Sequence, residues 1–392
     1  MTEAEFGTRV DAVMCRLNAS TTNTVHNKAN QILNRGLDRL GHTRVDIARN
    51  ARDADAAFCG ECNSGCLLGC KQSTMKTYLQ DASDADALLL PDTEVRRITH
   101  HQGRVTGIEA LQRSAEGERV LQLHADTVVL AAGALVSPAV LLRSGIGGPY
   151  VGHNLHLHPS YFMSGVFGEV VQGWSGQILT SACRDFEQVV EGHGFVVEAG
   201  PMRLSAWTGL APWHDGEEHK RDQLALSHIA GAWGFVRDHG EGRISLDDEG
   251  NPVIDWRLVE GVDLAVVRRC HVELARILHA AGAQEIRTFL RSDPRWKDGE
   301  DFDRFCRTLG ALDPTDLVST SAHQSGSCTS GPAGSSVTDS RGQLHDVGGV
   351  YLADASALPT SPGVNPMIAI MARADQVADY IIADLGASTG SA

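Results

Sequence analysis

An α/β fold with an inserted, sheet-rich segment is what this sequence predicts, and three observations carry the prediction. Thr127–Ala132 (TVVLAA) is a continuous apolar run ending at Gly133, the pattern of a parallel strand buried on both faces. Val350–Asp354 (VYLAD) is a second run of strand type; it ends on an acidic residue, crosses a turn-rich patch and enters a helix at Asn365–Pro366. Between them lies a hairpin at Arg243–Leu258. It has Ile244 and Leu246, then an Asp-Glu-Gly-Asn turn, then Val253, Ile254 and Trp256.

The composition sets the bounds. The chain has 392 residues, enough for more than one domain around a large core. With 42% hydrophobic and 21% charged residues it reads as globular. A net charge of −15 argues against nucleic acid or an anionic membrane as partner, because both select clustered Lys and Arg. No apolar stretch reaches the length of a transmembrane helix. The start, MTEAEFGTRVDAVM, lacks the basic and apolar regions of a secretory signal, so a cytoplasmic location is expected.

Residues 1–52 read as helical. Asn27–Leu40 places Ile32, Leu33, Leu37 and Leu40 on one face, as expected of a helix covering a core. The run 58–81 then carries Cys59, Cys62, Cys66 and Cys70. Four thiols this close could hold zinc or an iron–sulfur cluster. Structural zinc sites, however, usually use two well-separated pairs, and the second pair is missing, so no metal is assigned. Val95–Thr99, Val105–Ala110 and Val120–His124 read as strands, with a turn at Gly103. Gly133, at the end of a buried strand, permits close backbone approach to a ligand. Gly200–His219, with Trp207 and Trp213 among Pro and Gly, reads as loops with aromatic anchors. Asp263–Gly282 reads as an amphipathic helix, and Asp293–Pro314 as an irregular return connection. The small-residue tail Gly386–Ala392 is expected to lack order.

Two C-terminal segments concentrate the chemistry. In Ser321–Cys328 (SAHQSGSC), His323 is a candidate base, since imidazole can be neutral and proton-accepting at working pH. In the second, Asn365 reads as an N-cap and Pro366 as the first helical residue, with the helix running from Met367 to about Asp384. A strand ending at Asp354 beside a free helix N-terminus suits an electron-poor or anionic group.

SAHQ-x-G-S-C followed by ADAS…P…GVNP resembles the C-terminal end of the glucose–methanol–choline (GMC) family of flavin oxidoreductases, and looks most like its long-chain fatty alcohol oxidase branch. Gly133–Gly147 (GALVSPAVLLRSGIG) resembles a second signature of that family, and Val151–Pro159 (VGHNLHLHP) its continuation into the substrate domain. The Cys-rich loop, with Lys71, Ser73, Tyr78 and Leu79, resembles a stretch that packs near the flavin.

The resemblance implies an FAD-dependent oxidoreductase acting on CH–OH groups of hydrophobic, long-chain alcohols, with hydride transfer to flavin N5. It places an incomplete Rossmann-like FAD-binding domain at 1–150 and 311–392, with a sheet-rich α+β substrate domain inserted at 151–310. It makes His323 the catalytic base and Asn365 its hydrogen-bonding partner. It also puts Val95, Gly133, Asp354, Ala355, Asn365, Pro366 and Met367 against the FAD. Ser325 stands where the branch usually has Met. No G-x-G-x-x-G turn occurs; Gly145–Gly148 (GIGG) follows a helix instead of a strand. The chain is therefore expected to start inside the family pattern. It would then need a complementing N-terminal chain, or be a flavin-free fragment without activity of its own.

Overall fold

The computed structural model describes residues 2–52, 59–239, 242–258 and 261–389. Its largest element is a seven-stranded antiparallel sheet. In spatial order the strands are Arg295–Lys297, Glu285–Thr288, Ser160–Val166, Ile229–Val236, Phe195–Gly200, Ser181–Cys183 and Val45–Asp46. Successive residues in a strand point to opposite faces, so each strand contributes to two environments. Tyr161, Met163, Phe195, Val197, Ala199, Ala230, Ala232 and Val236 bury one face against the helices Lys28–Leu40 and Val262–Ala280. Phe162, Glu198, Trp233 and Phe235 lie on the other. Residues 28–46 thus pack with the sheet built mainly from 160–297.

The two strands expected at Thr127–Ala132 and Val350–Asp354 are present but short, and they pair in parallel: Val128–Leu130 beside Val350–Leu352. A meander of Thr93–His101, Arg104–Ser114 and Gly117–His124 lies next to it, with Gly103 at φ 75° in the first turn. Helix Gly133–Ser144 packs on this unit through Val140 and Leu141, which share a cluster with Ile98, Leu130, Val350 and Leu352. Helix Glu3–Arg16 lies along the C-terminal helix Met367–Thr389. Val13, Leu17 and Ala372 are buried between them, and Arg9 pairs with Asp375 and Asp379 at 2.6 Å. No described helix is long and apolar enough to cross a membrane.

Several expectations need correction. Gly200–His219 is not loop: Leu204–Leu210 and the start of Gly216–Ala225 are helical. Trp207 anchors the first of these in a cluster with Phe162 and Phe289, whereas Trp213 is 67% exposed. The 293–314 connection contains the strand Arg295–Lys297 and the helix Phe302–Gly310. The helix presents Phe305 and Leu309 to the core, a spacing hidden by its charged neighbours. Leu40 is 40% exposed, unlike Ile32, Leu33 and Leu37, because it is the last residue of its helix. The C-terminal helix continues through Thr389, so most of the tail is regular; residues 390–392, like Phe58, lie outside the described residues.

Gly36 sets how closely Lys28–Leu40 approaches Val262–Ala280: a Cβ there would stand 2.3 Å from the Ile277 carbonyl oxygen. Gly7, in the first helix, has open space at the same position. Helix propensity alone would make Ala better than Gly at both by about 0.5–1 kcal/mol. We expect Gly7→Ala to raise stability by that amount. Gly36→Ala should lower it by about 1–3 kcal/mol through overpacking, read as urea midpoints at unchanged m-value. A gain at both positions would contradict the packing.

Candidate active site

The site lies on a seam. Segment 320–328 runs antiparallel to 152–160: Ser160 N donates to Thr320 O at 2.7 Å, His156 N and Ser325 N donate to each other's carbonyls at 2.9 Å, and Gly152 N donates to Ser327 O at 2.8 Å. The far edge of the same segment is tied to the end of the parallel strand, with Gly326 N donating to Ala355 O at 3.0 Å and Cys328 N to Ser356 O at 2.8 Å. Gly326 has φ 92°, and a Cβ there would stand 2.3 Å from Asn154 O, so SGSC needs its glycine.

This pairing sets His323 against the face of the large sheet opposite the main core. Its ring is half-buried, 5.5 Å from Phe235 and 5.0 Å from His158, and nearly stacked on the latter. His323 Nδ1 and His158 Nδ1 are 2.9 Å apart and share a hydrogen bond. Among the described residues no group bonds His323 Nε2, and this atom is not buried. Burial lowers the affinity of His323 for a proton, which keeps the ring neutral.

Asn365 reaches the same wall from the other side. Its side chain acts on the carboxyl of Glu198, which stands directly opposite Trp233 in the sheet; the Trp233 ring is 6.2 Å from Phe235. A chain of contacts thus runs Asn365–Glu198–Trp233–Phe235–His323. Burial pushes the Glu198 carboxyl up to about 7, against the lowering effect of Asn365. The helix after Asn365 opens one residue later than its sequence suggested. Ile370 N donates to Pro366 O at 2.9 Å, which makes Pro366 the cap position. Pro366 is buried and Met367 is 46% exposed.

Asp354 is buried and fully engaged by protein donors. Gly133 N (2.9 Å) and Ser137 Oγ (2.5 Å) bond one oxygen, and Ser356 N (2.8 Å) and Oγ (2.5 Å) bond the other. Gly133 has φ 83°, begins its helix, and has open space where a Cβ would stand. Ala134, Ala355, Leu157 and Ile370 share one apolar cluster, which brings the N-termini of helices Gly133–Ser144 and Met367–Thr389 together. Two helix N-termini beside a segment that carries a neutral imidazole fit an electron-poor ring able to gain negative charge. Val95 lies elsewhere. It pairs with Ala110 at a bulge in the meander and packs on the cluster around Leu130. In the cysteine loop, burial and, after it, the neighbouring Cys59 raise the Cys62 thiol. Burial also acts to raise Cys66, but the amides of Lys71, Cys70, Leu68 and Gly69 outweigh it and hold the thiol below its ordinary range.

Sequence reasoning missed Glu198 and His158. A lone acid inside the apolar strand FVVEAG was a usable signal, because unpaired Glu is rarely buried. The three histidines of VGHNLHLHP were another.

Comparison with known proteins adds the following. Residues 1–160 match the N-terminal model, and residues 238–374 the C-terminal model, of the GMC oxidoreductase family. The chain is 27% identical to long-chain-alcohol oxidase FAO4B of Arabidopsis thaliana, across 97% of this chain and 53% of that protein. It is 33% identical to an uncharacterized GMC-type oxidoreductase of Mycobacterium tuberculosis (strain H37Rv), across 88% and 53%. It therefore spans about half the length of the curated relatives it matches. A structure of Aspergillus oryzae formate oxidase, solved in work on FAD modification, superposes with TM-score 0.64 at 16% identity, over 90% of this chain and 70% of that one.

The buried Glu198 makes a pH prediction. In the folded protein it holds its proton up to about 7, against an ordinary 4.5, so the folded state binds more protons in between and stability falls as pH rises through that window. Glu198→Gln removes this dependence. We expect the variant's stability, relative to the parent, to grow by roughly 3 kcal/mol across the window, measured by urea unfolding at a series of pH values. A difference that does not vary with pH would contradict the assignment.

Proposed function

This chain belongs to the GMC oxidoreductase family, and we propose that it is the alcohol-handling part of an FAD-dependent oxidoreductase. His323 is the base: its Nε2 takes the hydroxyl proton of a substrate lying on the aromatic wall. Asn365 holds the substrate oxygen, a role its amide can fill without acting as a base. The N-terminus of helix Met367–Thr389 directs its positive end at negative charge developing beside it. When bound, FAD supplies the hydride acceptor. Gly133, Ala355, Pro366 and Met367 would lie along it, Asp354 would hold Gly133 in place, and Val95 would meet its far end. The observation that carries this reading is His323, with one ring nitrogen engaged inward and the other open, beside two helix N-termini.

The substrate we propose is a hydrophobic, long-chain alcohol. The apolar wall of Phe162, Trp233 and Phe235 and the likeness to a long-chain-alcohol oxidase support it. We assign cofactor binding to 1–150 and 311–392 and the substrate wall to 151–310, with residues 28–46 built into the latter. The odd count of nine cysteines, four of them crowded into Cys59–Cys70, is not the framework of a secreted disulfide protein and suits the cytoplasm. One observation favours a second reading, that the chain is inactive without a complementing N-terminal segment. Among the described residues the parallel sheet has two strands, and Val129 on it is 47% exposed, whereas parallel sheets are normally covered on both faces.

In the flavin-loaded protein, His323→Ala should slow flavin reduction by alcohol by about 10²–10⁴-fold while leaving bound FAD unchanged. Stopped-flow absorbance reads both, and an unchanged reduction rate would remove His323 from the mechanism.

A further inference from the structure

The inward contact of His323 determines more than its position. His158 is 0% exposed and has φ 50°, in the left-handed region that Asn, Asp and His enter more readily than other non-glycine residues. Asp238 holds this conformation. One of its oxygens accepts from His158 N at 3.0 Å, and the other from Leu157 N at 3.0 Å and Trp256 Nε1 at 3.1 Å. The ring of His158 is thereby aimed at His323 Nδ1.

A 2.9 Å contact between two ring nitrogens contains one proton. If His158 donated it, His323 would carry its own proton on Nε2 and would have no lone pair on the open side. If His323 donates it, Nε2 is bare. Only this second arrangement lets His323 accept a proton from the open side, since the resulting imidazolium carries protons on both nitrogens and needs an acceptor at Nδ1.

We propose that His158 is the positioning residue of this site: its Nδ1 accepts from His323 Nδ1–H and so keeps the lone pair of His323 on the exposed Nε2. This rests on the reading of His323 as the base. Burial, with the charge of His323 adding to it, pushes His158 down to about 3, so His158 stays neutral and remains an acceptor while His323 gains and loses a proton. The other nitrogen of His158, Nε2, then carries its proton; it is buried without a protein partner, so no competing hydrogen bond turns the ring away, and the contact with His323 must outweigh that unmatched N–H. Imidazole in water favours the opposite tautomer, protonated on Nε2; the contact with His158 reverses that preference.

The test is a long-range proton–nitrogen NMR correlation spectrum of the chain with 15N-labelled histidine, near neutral pH. The His323 signals are identified by their loss in His323→Gln. We expect His323 to be protonated on Nδ1 and bare on Nε2. His158→Leu should shift it toward the Nε2-protonated form. His158→Asn should preserve the Nδ1–H form, because Asn tolerates φ near 50° and places an acceptor oxygen where His Nδ1 stood. In the flavin-loaded protein, His158→Leu should slow flavin reduction by about 10–100-fold, with most of the rate restored by Asn. An Nε2-protonated His323 in the unmodified chain, or an unchanged tautomer in His158→Leu, overturns the proposal. The unmodified chain needs no substitution to be informative, so a variant that fails to fold does not block the test. Finding the Nε2-protonated form while His323→Ala still abolishes reduction would sink this inference alone. The Nδ1–H form with normal reduction in His323→Ala would sink the base assignment instead.

Discussion

The buried carboxylate of Asp354 is the constraint on which the site depends. A carboxylate taken out of water is costly unless donors surround it, and here four protein donors do. Two come from the start of helix Gly133–Ser144 and two from the turn that follows the strand Val350–Leu352. The side chain therefore locks the end of one parallel strand to the helix that follows its neighbour. Removing it would leave Gly133 N and two hydroxyls without their acceptor, and the helix N-terminus would lose its fixed direction. Because Ala355 follows at once and bonds Gly326, the same lock also sets the level of the His323 segment.

The groups proposed to act come from three layers that meet at this seam. The sheet supplies Glu198, Trp233 and Phe235. The strand-like segment 320–328 supplies His323, and the last helix begins beside Asn365. None of these layers stands alone: His323 rests on His158, which rests on Asp238, and Asn365 acts on the buried Glu198. The first two contacts are hydrogen bonds to buried groups, where an unmatched partner costs most. The site is accordingly well determined on its protein side. The parallel sheet next to it, by contrast, has two strands among the described residues.

What the sequence revealed divides along physical lines. The apolar run before Gly133, the strand ending at Asp354 and the Arg243–Leu258 hairpin were legible because their periods and turn residues are local. His323 and Asn365 stood out because two motifs flanked them at fixed spacing. Glu198, His158 and Asp238 were not recognised, since each matters only through a partner at least 80 residues away. The helices at Leu204–Leu210 and Phe302–Gly310 were obscured by Pro, Gly and charge around short apolar faces, and tertiary packing on Phe289 and the main core decided them. The placement of residues 28–46 with the large sheet follows from a long-range strand pairing that no local pattern encodes.

The central claim is that this chain's own residues form the face on which a flavin ring and an alcohol meet. The most direct measurement is a visible-absorption titration of the purified 392-residue chain with FAD. The account predicts a saturable shift of the flavin band near ~450 nm, with part of the flavin staying with the protein through desalting. A folded chain that leaves the spectrum of added FAD unchanged, and retains none, would contradict it.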